Sequence, residues 1–180
     1  MVLHHFILIL IVKLLLNDER VDIDKGTDIG RTSFHIACLN GHIEIVKLLL
    51  NNRIDINKAD DDGWTPFHSA CSNGYIEILK LLLNDKRVDL NKEDKYDNTP
   101  FLIACRNGKT EVVKYLLESE RTIDIYKKDN KHGKSGLNWA RENGNTDIAE
   151  LIEAFQKNPN ETRAKLTKEL AICKFFYFDF

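Results

Sequence analysis

The sequence predicts an all-α fold, in which pairs of short helices stack as a solenoid with polar turn segments between them. Three Ala-Cys pairs mark the repeat at intervals of 33 and 34 residues: Ala37-Cys38, Ala70-Cys71 and Ala104-Cys105. A glycine follows each pair at a constant distance, and an apolar stretch follows each glycine. Each repeat therefore contains two helical segments joined by a turn. Ala140 and Gly144 mark a fourth copy.

The first helix of each pair has a recognisable beginning and end. In one copy Thr65 is a good N-cap, and Pro66 takes the first helical position, where no amide donor is needed. The helix is expected to end at Asn73-Gly74, because glycine readily adopts the left-handed conformation that follows many helices. The same Asn-Gly step recurs at 40–41, 107–108 and 143–144.

The second helix is predicted from the spacing of its apolar residues. Within 43–50 these follow the i, i+3, i+6, i+7 spacing of a buried helical stripe, starting from Ile43. Glu44 and Lys47 are left on the solvent side. Segments such as 55–57 and 89–91 then lead into polar turns.

These copies resemble the ankyrin-repeat family, whose unit is a turn and two helices with a Thr-Pro-Leu-His-x-Ala signature. The clearest copy is Gly63-Trp-Thr-Pro-Phe-His-Ser-Ala-Cys71, and the resemblance runs from about residue 9 to about residue 155. Three departures are local. Ser33 replaces the proline, Leu102 replaces the histidine, and Ser135-Gly-Leu-Asn138 is a degenerate copy.

The register of the repeats divides the chain into six segments. The predicted divisions are a truncated first repeat at 1–29, repeats at 30–62, 63–96 and 97–132, a capping repeat at 133–155, and a tail with a short helix at 156–180. The second helix of the capping repeat is more acidic than those of the earlier repeats. This is expected of a terminal repeat, which has one face exposed to solvent. In the tail, residues 156–161 are expected to be a polar connector, and a helix is expected from Thr162 with Leu166 and Leu170 on one side.

Both ends of the chain are apolar. Ile11–Leu16 corresponds to Ile45–Leu50, so residues 1–29 are expected to hold a second helix without its first. Its apolar run is shorter than the roughly 20 residues of a membrane span, and it lacks the features of a secretory signal. An apolar patch that another chain covers is the expected result.

The aromatic tail 174–180 is expected to pack against the last repeat or to fray from it, with a docking motif as the alternative.

Composition excludes several classes of protein. A hydrophobic content of 43% with 30% charged residues fits a soluble globular chain better than a disordered or multi-pass membrane protein. A net charge of −2 gives no bulk field for nucleic acid or an anionic membrane, so neither is an expected partner.

The cysteines and histidines are interpreted as packing residues. Zinc ligands come in close pairs, whereas these cysteines recur once per repeat, so neither a metal nor another cofactor is expected. Buried free thiols fit a reducing compartment, either cytoplasm or nucleus. His35 lies three residues before Cys38, a spacing that places a base and a nucleophile on one side of a helix. Yet the pair recurs at 68 and 71 and is lost at Leu102. We therefore expect neither an enzyme nor a small-molecule substrate.

The resemblance implies that the polar turns project as short β-hairpin fingers. It also implies that the finger tips and the exposed side of the first helices form a concave face that holds other proteins. The candidate residues by repeat register are Arg31, Leu39, Asp61, Asp62, Trp64, Ser72, Lys95, Tyr96, Asn98, Arg106, Lys134 and Glu142. Trp64, Tyr96 and Arg106 are the expected anchors, because aromatic and arginine side chains dominate interface energies. The alternative for each is an ordinary solvated side chain.

Charge along the fingers is uneven. Residues 60–62 are three aspartates, whereas lysines at 127, 128, 131 and 134 make a later finger basic. A partner segment of mixed charge would then bind in one preferred direction.

The resemblance also implies a modification. An asparaginyl hydroxylase acts on hairpin asparagines of the family, usually with a leucine eight residues upstream. Asn57 with Leu49, and Asn91 with Leu83, match this loose pattern. The alternative is that the asparagine braces the hairpin.

The expected function is a non-catalytic interaction module, a scaffold or adaptor for a partner protein. One alternative is the targeting or substrate-recruiting part of a larger enzyme, such as a kinase or ubiquitin ligase. Another is a membrane-surface protein tethered by its apolar ends. Self-association through the N-terminal half-repeat is a further expectation.

Overall fold

The computed structural model describes the backbone of residues 2–177 and the side chains of residues 7–172. Within these residues the helices are α1 (Val2–Leu16), α2 (Ser33–Asn40), α3 (Ile43–Leu50), α4 (Pro66–Asn73), α5 (Ile76–Asn84), α6 (Pro100–Arg106), α7 (Thr110–Glu118), α8 (Gly136–Glu142), α9 (Thr146–Lys157) and α10 (Pro159–Tyr177). The described part contains no strand, and its isolated antiparallel bridge joins Lys128 to Ser135. The predicted all-α class is confirmed. Two compact units divide the chain, unit 1 at Met1–Asp89 and unit 2 at Leu90–Phe180.

In unit 1, two helix pairs stack with α1 beside them. The pair α2 and α3 packs against the pair α4 and α5, and α1 lies against α3. Phe34 of α2, Phe67 of α4 and Leu82 of α5 are fully buried between them. The predicted stripe of α3 is shifted, because Ile45 is buried while Ile43 is half-buried. The buried residues Ile45, Val46 and Leu49 form one arc displaced from the predicted one, because α1 and α5 pack on α3 in addition to its partner α2.

Unit 2 repeats this arrangement and adds a final helix. The pair α6 and α7 packs against α8 and α9, and α10 lies across α7 and α9. Leu166 and Leu170 of α10 are buried there, as predicted. The predicted connector at 156–161 is wrong, because α9 reaches Lys157 and Pro159 already begins α10. Proline suits this position, since the first helical residue needs no amide donor. The aromatic side chains of 174–180 lie outside the described residues.

The predicted starts and stops of the first helices are confirmed. The hydroxyl of Thr65 accepts a hydrogen bond from the His68 amide, and the His68 ring accepts one from the Thr65 amide. This reciprocal capping box satisfies two amides that the helix itself leaves unbonded. Gly74 then ends the helix with a φ of 83°.

The degenerate last copy keeps the same cap with different residues. The Asn138 side chain takes the place of the histidine and accepts from the Ser135 amide at 3.0 Å. Gly136 stands where the other copies have proline or serine, and it packs closely on α6. A Cβ atom at Gly136 would lie 2.9 Å from the Cys105 Sγ atom and 3.1 Å from the Phe101 ring. The missing side chain therefore sets how closely α8 approaches α6.

The fingers at 60–64 and 94–98 each turn around a buried aspartate. Oδ1 of Asp60 accepts the amides of Asp62 at 3.0 Å and Trp64 at 2.9 Å. Asp94 does the same for the amides of the next finger, at Tyr96 and Asn98. In both, the aspartate amide also donates back across the turn, which closes it from either side. These carboxylates hold the finger tips in place because a charged acceptor makes strong hydrogen bonds with amides.

We predict that Gly136→Ala destabilises unit 2 by about 1–3 kcal/mol, because the new methyl group overpacks a filled core. Urea unfolding measures the change. Thr146→Ala, at the exposed first position of α9, is the control and should change stability by less than about 0.5 kcal/mol.

A double-mutant cycle with Cys105→Ala tests the cause. Removing the sulfur should recover part of the loss, since the methyl group then enters vacated space. Strict additivity of the two substitutions would show that the contact with Cys105 is not responsible.

Candidate functional site

The residues predicted to bind a partner divide equally between the units. Unit 1 holds Arg31, Leu39, Asp61, Asp62, Trp64 and Ser72, and unit 2 holds Lys95, Tyr96, Asn98, Arg106, Lys134 and Glu142. Eleven of them are exposed or half-exposed, and Asn98 is buried. The finger tips and first helices thus leave most of the predicted face accessible in each unit.

In unit 1 the face is organised around Asp60 and Trp64. Nε of Arg31 donates to Oδ2 of Asp60 at 3.1 Å, so the arginine is fixed beside the finger base. The Trp64 ring stacks on the His68 ring with centroids 5.9 Å apart. These contacts orient the half-exposed indole and guanidinium before any partner arrives.

The acidic finger is smaller than the sequence indicates. Asp61 and Asp62 are exposed at its tip, but Asp60 is 7% exposed and its oxygens are engaged in the turn and with Arg31. The prediction of three equivalent tip aspartates is therefore wrong for Asp60. Asp60 is therefore part of the fold of the finger, and the exposed carboxylates at its tip are those of Asp61 and Asp62.

His35 links the cap of one repeat to the finger of the next. Nδ1 of its ring accepts from the Thr32 amide at 3.2 Å, which leaves Nε2 to donate to the Trp64 carbonyl at 2.9 Å. Burial lowers the pKa of the His35 imidazole, and the bond to the Trp64 carbonyl offsets part of this. The neutral ring thus joins the cap of α2 to the finger that carries Trp64, within unit 1.

In unit 2 the face is organised around Trp139, which sequence reasoning missed. Its Nε1 donates to Oδ2 of buried Asp129 at 2.8 Å. Lys134 Nζ lies 4.4 Å from the ring centroid and the Arg106 guanidinium 5.8 Å from it. His132 packs edge-on against the ring at 5.1 Å. One half-exposed indole therefore orients two predicted contact residues.

The finger aspartates are marked in the sequence by their spacing, whereas Trp139 is not. The aspartates at 60, 94 and 129 recur at 34 and 35 residues, in step with the other repeat markers. Their regularity could have identified them as structural. Trp139 has no counterpart in the other copies, where its position holds Ile36, Ser69 and Ile103.

Tyr96 and Asn98 have opposite environments although they are two residues apart. Tyr96 is 46% exposed, with Lys95 Nζ 5.1 Å from its ring centroid. Asn98 is 3% exposed, and its amide nitrogen donates to both Asp94 oxygens. Asn98 is therefore an internal brace of the finger, and it contributes to the face through its contact with Arg106.

The lysines of the basic finger differ in their partners. Lys127 Nζ lies 2.8 Å from a Glu93 oxygen, and Lys134 forms an ion pair with Glu142. Lys128 and Lys131 are exposed. The basic finger thus carries two outward lysines instead of four.

The repeat geometry agrees with a family match. The family model described as ankyrin repeats, with three copies, matches residues 6–94 and 86–163. The chain belongs to the ankyrin-repeat family. No curated protein matches the chain. Ankyrin repeats are in general protein-protein interaction modules and are typically not catalytic.

The ankyrin cysteines are buried in the two cores. Cys38, Cys71 and Cys105 are free thiols with no exposed surface. Burial raises the pKa of the Cys38 and Cys105 thiols well above the ordinary range, so the nucleophilic thiolate is disfavoured. Among residues whose side chains are described, no group of three or more histidine, cysteine or acidic side chains is placed to hold a metal ion.

The two asparagines proposed for hydroxylation brace neighbouring ankyrin hairpins. Asn57 donates to the Arg87 carbonyl at 2.7 Å and accepts from the Asp89 amide at 2.8 Å. Asn91 makes the same pair of bonds with Thr122 and Asp124. The bracing alternative is thus observed in both units, and hydroxylation stays a prediction.

The first helix of the ankyrin chain exposes apolar side chains to solvent. The large ones are Ile7, Leu8, Leu10, Ile11, Leu14 and Leu15. Within residues 2–177, no helix combines the length and the apolar character that a bilayer span requires. The exposed apolar patch expected from the sequence is therefore present on α1.

We predict that the stability of unit 1 falls as the pH drops below the ordinary histidine pKa of about 6.5. The folded His35 resists the proton that the unfolded chain accepts, so acid favours unfolding, and the loss is complete once the pH passes below the lowered pKa. His35→Leu should flatten this part of the pH profile in urea unfolding.

Leucine is the natural residue at the equivalent position of α6, so the substitution suits the repeat. Ile36→Leu, on the exposed side of the same helix, is the control and should keep the wild-type profile. An unchanged pH slope in His35→Leu would contradict the assignment.

Proposed function

We propose that this chain is a non-catalytic scaffold or adaptor that binds a partner protein through its finger tips and the exposed side of its first helices. The observation that carries the proposal is that buried aspartates fix the fingers while aromatic and cationic side chains stay accessible beside them. Preorganised side chains lose little entropy on binding, which favours recognition.

The chemistry of the buried residues supports a module without catalysis. The thiols are desolvated, and the His35 ring nitrogens are both engaged in the cap and the finger. A nucleophile and its base need access to a substrate. The same free, buried thiols support a reducing compartment, the cytoplasm or nucleus.

Replacing the anchors Trp64, Tyr96 and Arg106 together by alanine should weaken partner binding by more than about tenfold, because such side chains carry most interface energy. Affinity capture from native lysate identifies the partner, and surface plasmon resonance measures its affinity for each variant.

The matched control is alanine at Glu44, Glu77 and Glu111, which are exposed on second helices of three repeats. This variant should bind as the wild type does. Equal loss in both variants would place the contact elsewhere.

We further propose that α1 pairs with a second copy of the chain. Ile7, Ile11 and Leu14 are exposed at i, i+4 and i+7, the spacing of a helix-helix seam. Beside them lies an apolar groove of about 200 Å³ lined by Leu15 and Ile45, among others. The same helix on a second copy supplies the complementary apolar face in a symmetric contact.

Leu14→Glu should abolish this self-association, because it places a charge within the seam. Leu14 is 71% exposed, so the substitution should cost little stability. Sedimentation at increasing concentration distinguishes dimer from monomer. Asn17→Glu adds the same charge about one turn further on and should leave the dimer intact. A wild-type chain that stays monomeric throughout would refute the pairing.

A further inference from the structure

The finger at 126–134 carries positive charge that its own acidic residue does not neutralise. Asp129, the acidic residue of the finger at 126–134, is 3% exposed and binds the Trp139 ring and finger amides. Lys128 and Lys131 are exposed, and neither forms an ion pair with any described residue. The tip of this finger therefore presents two unpaired cations.

Arg106 adds a half-exposed cation with unused hydrogen-bond donors. Its guanidinium lies over the Trp139 ring, and Nη1 donates to Asn98 Oδ1 at 3.5 Å, the one hydrogen bond of this side chain among the described residues. A guanidinium has five N–H donors in a planar fork that matches a carboxylate. Among the described residues, the other donors of this guanidinium make no hydrogen bond.

We propose that the unit 2 face binds an acidic protein segment, with a carboxylate held by the fork of Arg106 and further acidic residues drawn to Lys128 and Lys131. This inference rests on the proposed function and names the chemistry of the partner for one part of that face. The bidentate contact supplies specificity, and the finger lysines speed the encounter.

Nucleic acid fits this face less well than a peptide does. Proteins that hold single strands use open aromatic rings on which bases stack. Here Lys134 and Arg106 lie over the Trp139 ring, and His132 packs against the ring at an angle of 84°. The indole is therefore not an open surface on which a base can stack. Two unpaired lysines also release few counterions from a phosphate backbone.

The test uses the full chain and a short fluorescein-labelled peptide rich in glutamate, with fluorescence anisotropy as the readout. A peptide with glutamine at every glutamate position and an oligothymidylate of equal charge are the comparison probes. The glutamate peptide should bind saturably and more tightly than either, and its affinity should fall as salt rises.

The decisive variant is Arg106→Lys, which keeps the charge and removes the fork. It should bind the glutamate peptide about tenfold more weakly. The matched control is Arg141→Lys on α8, whose arginine pairs with Glu153 at 2.7 Å, away from the finger. It should change the affinity by less than about twofold. Circular dichroism melts confirm that both variants stay folded.

A second pair of variants separates the finger lysines from bulk charge. Lys128→Glu with Lys131→Glu should weaken binding and flatten its salt dependence. Lys157→Glu with Lys168→Glu makes the same charge change at exposed sites on α9 and α10 and should have a smaller effect.

Three results would overturn the proposal: no saturable binding of the glutamate peptide, equal effects of Arg106→Lys and Arg141→Lys, or preferential binding of the oligothymidylate. The protein-binding function is judged separately by the triple-alanine capture experiment. If a captured partner depends on the anchors while the glutamate peptide fails, the acidic-segment proposal alone falls.

Discussion

The accessible face depends on a carboxylate that cannot be reached from outside. In the fingers at 60–64 and 94–98 a buried aspartate accepts amides from the residues that follow, and this bond network joins the finger to the start of the first helix that follows it. A loop without it would sample many conformations and lose that freedom on binding. The buried charge is tolerated because every oxygen has strong donors. The hydrogen bonds of the buried aspartate thus make the finger tip rigid.

The repeat tolerates sequence change when the physical role is preserved by another residue. Asn138 replaces histidine in the cap of α8, because its side-chain oxygen can accept the same amide. Leu102 replaces histidine in α6, where Thr99 alone caps the helix. Gly136 in turn allows α8 to lie against Cys105. In the sequence these positions depart from the repeat motif, but in the structure the cap and the helix packing are kept at each of them.

The sequence predicts most of the helices and few of the contacts. The period, the Asn-Gly steps and the Thr caps depend on local chemistry, so α2 to α9 could be placed from them. The connector before α10 was mispredicted because its polar composition resembles a loop. Asp60 and Asn98 were assigned to the face because polarity alone does not reveal that a side chain turns inward. Trp139 was missed because its role arises from contacts with Arg106 and Lys134, which are distant in sequence from one another.

Charge on such a face has to be counted after the structural contacts are removed. The finger at 126–134 contains four lysines and one aspartate, yet Lys127 and Lys134 are paired and Asp129 is engaged in the turn. The finger at 60–62 loses Asp60 in the same way. The exposed charges at the tip are then Asp61 and Asp62 in unit 1, whereas in unit 2 they are Lys128 and Lys131, with Arg106 nearby on α6 half-exposed. The net charge of −2 conceals this difference, because electrostatic recognition depends on where unpaired charges lie and less on their sum.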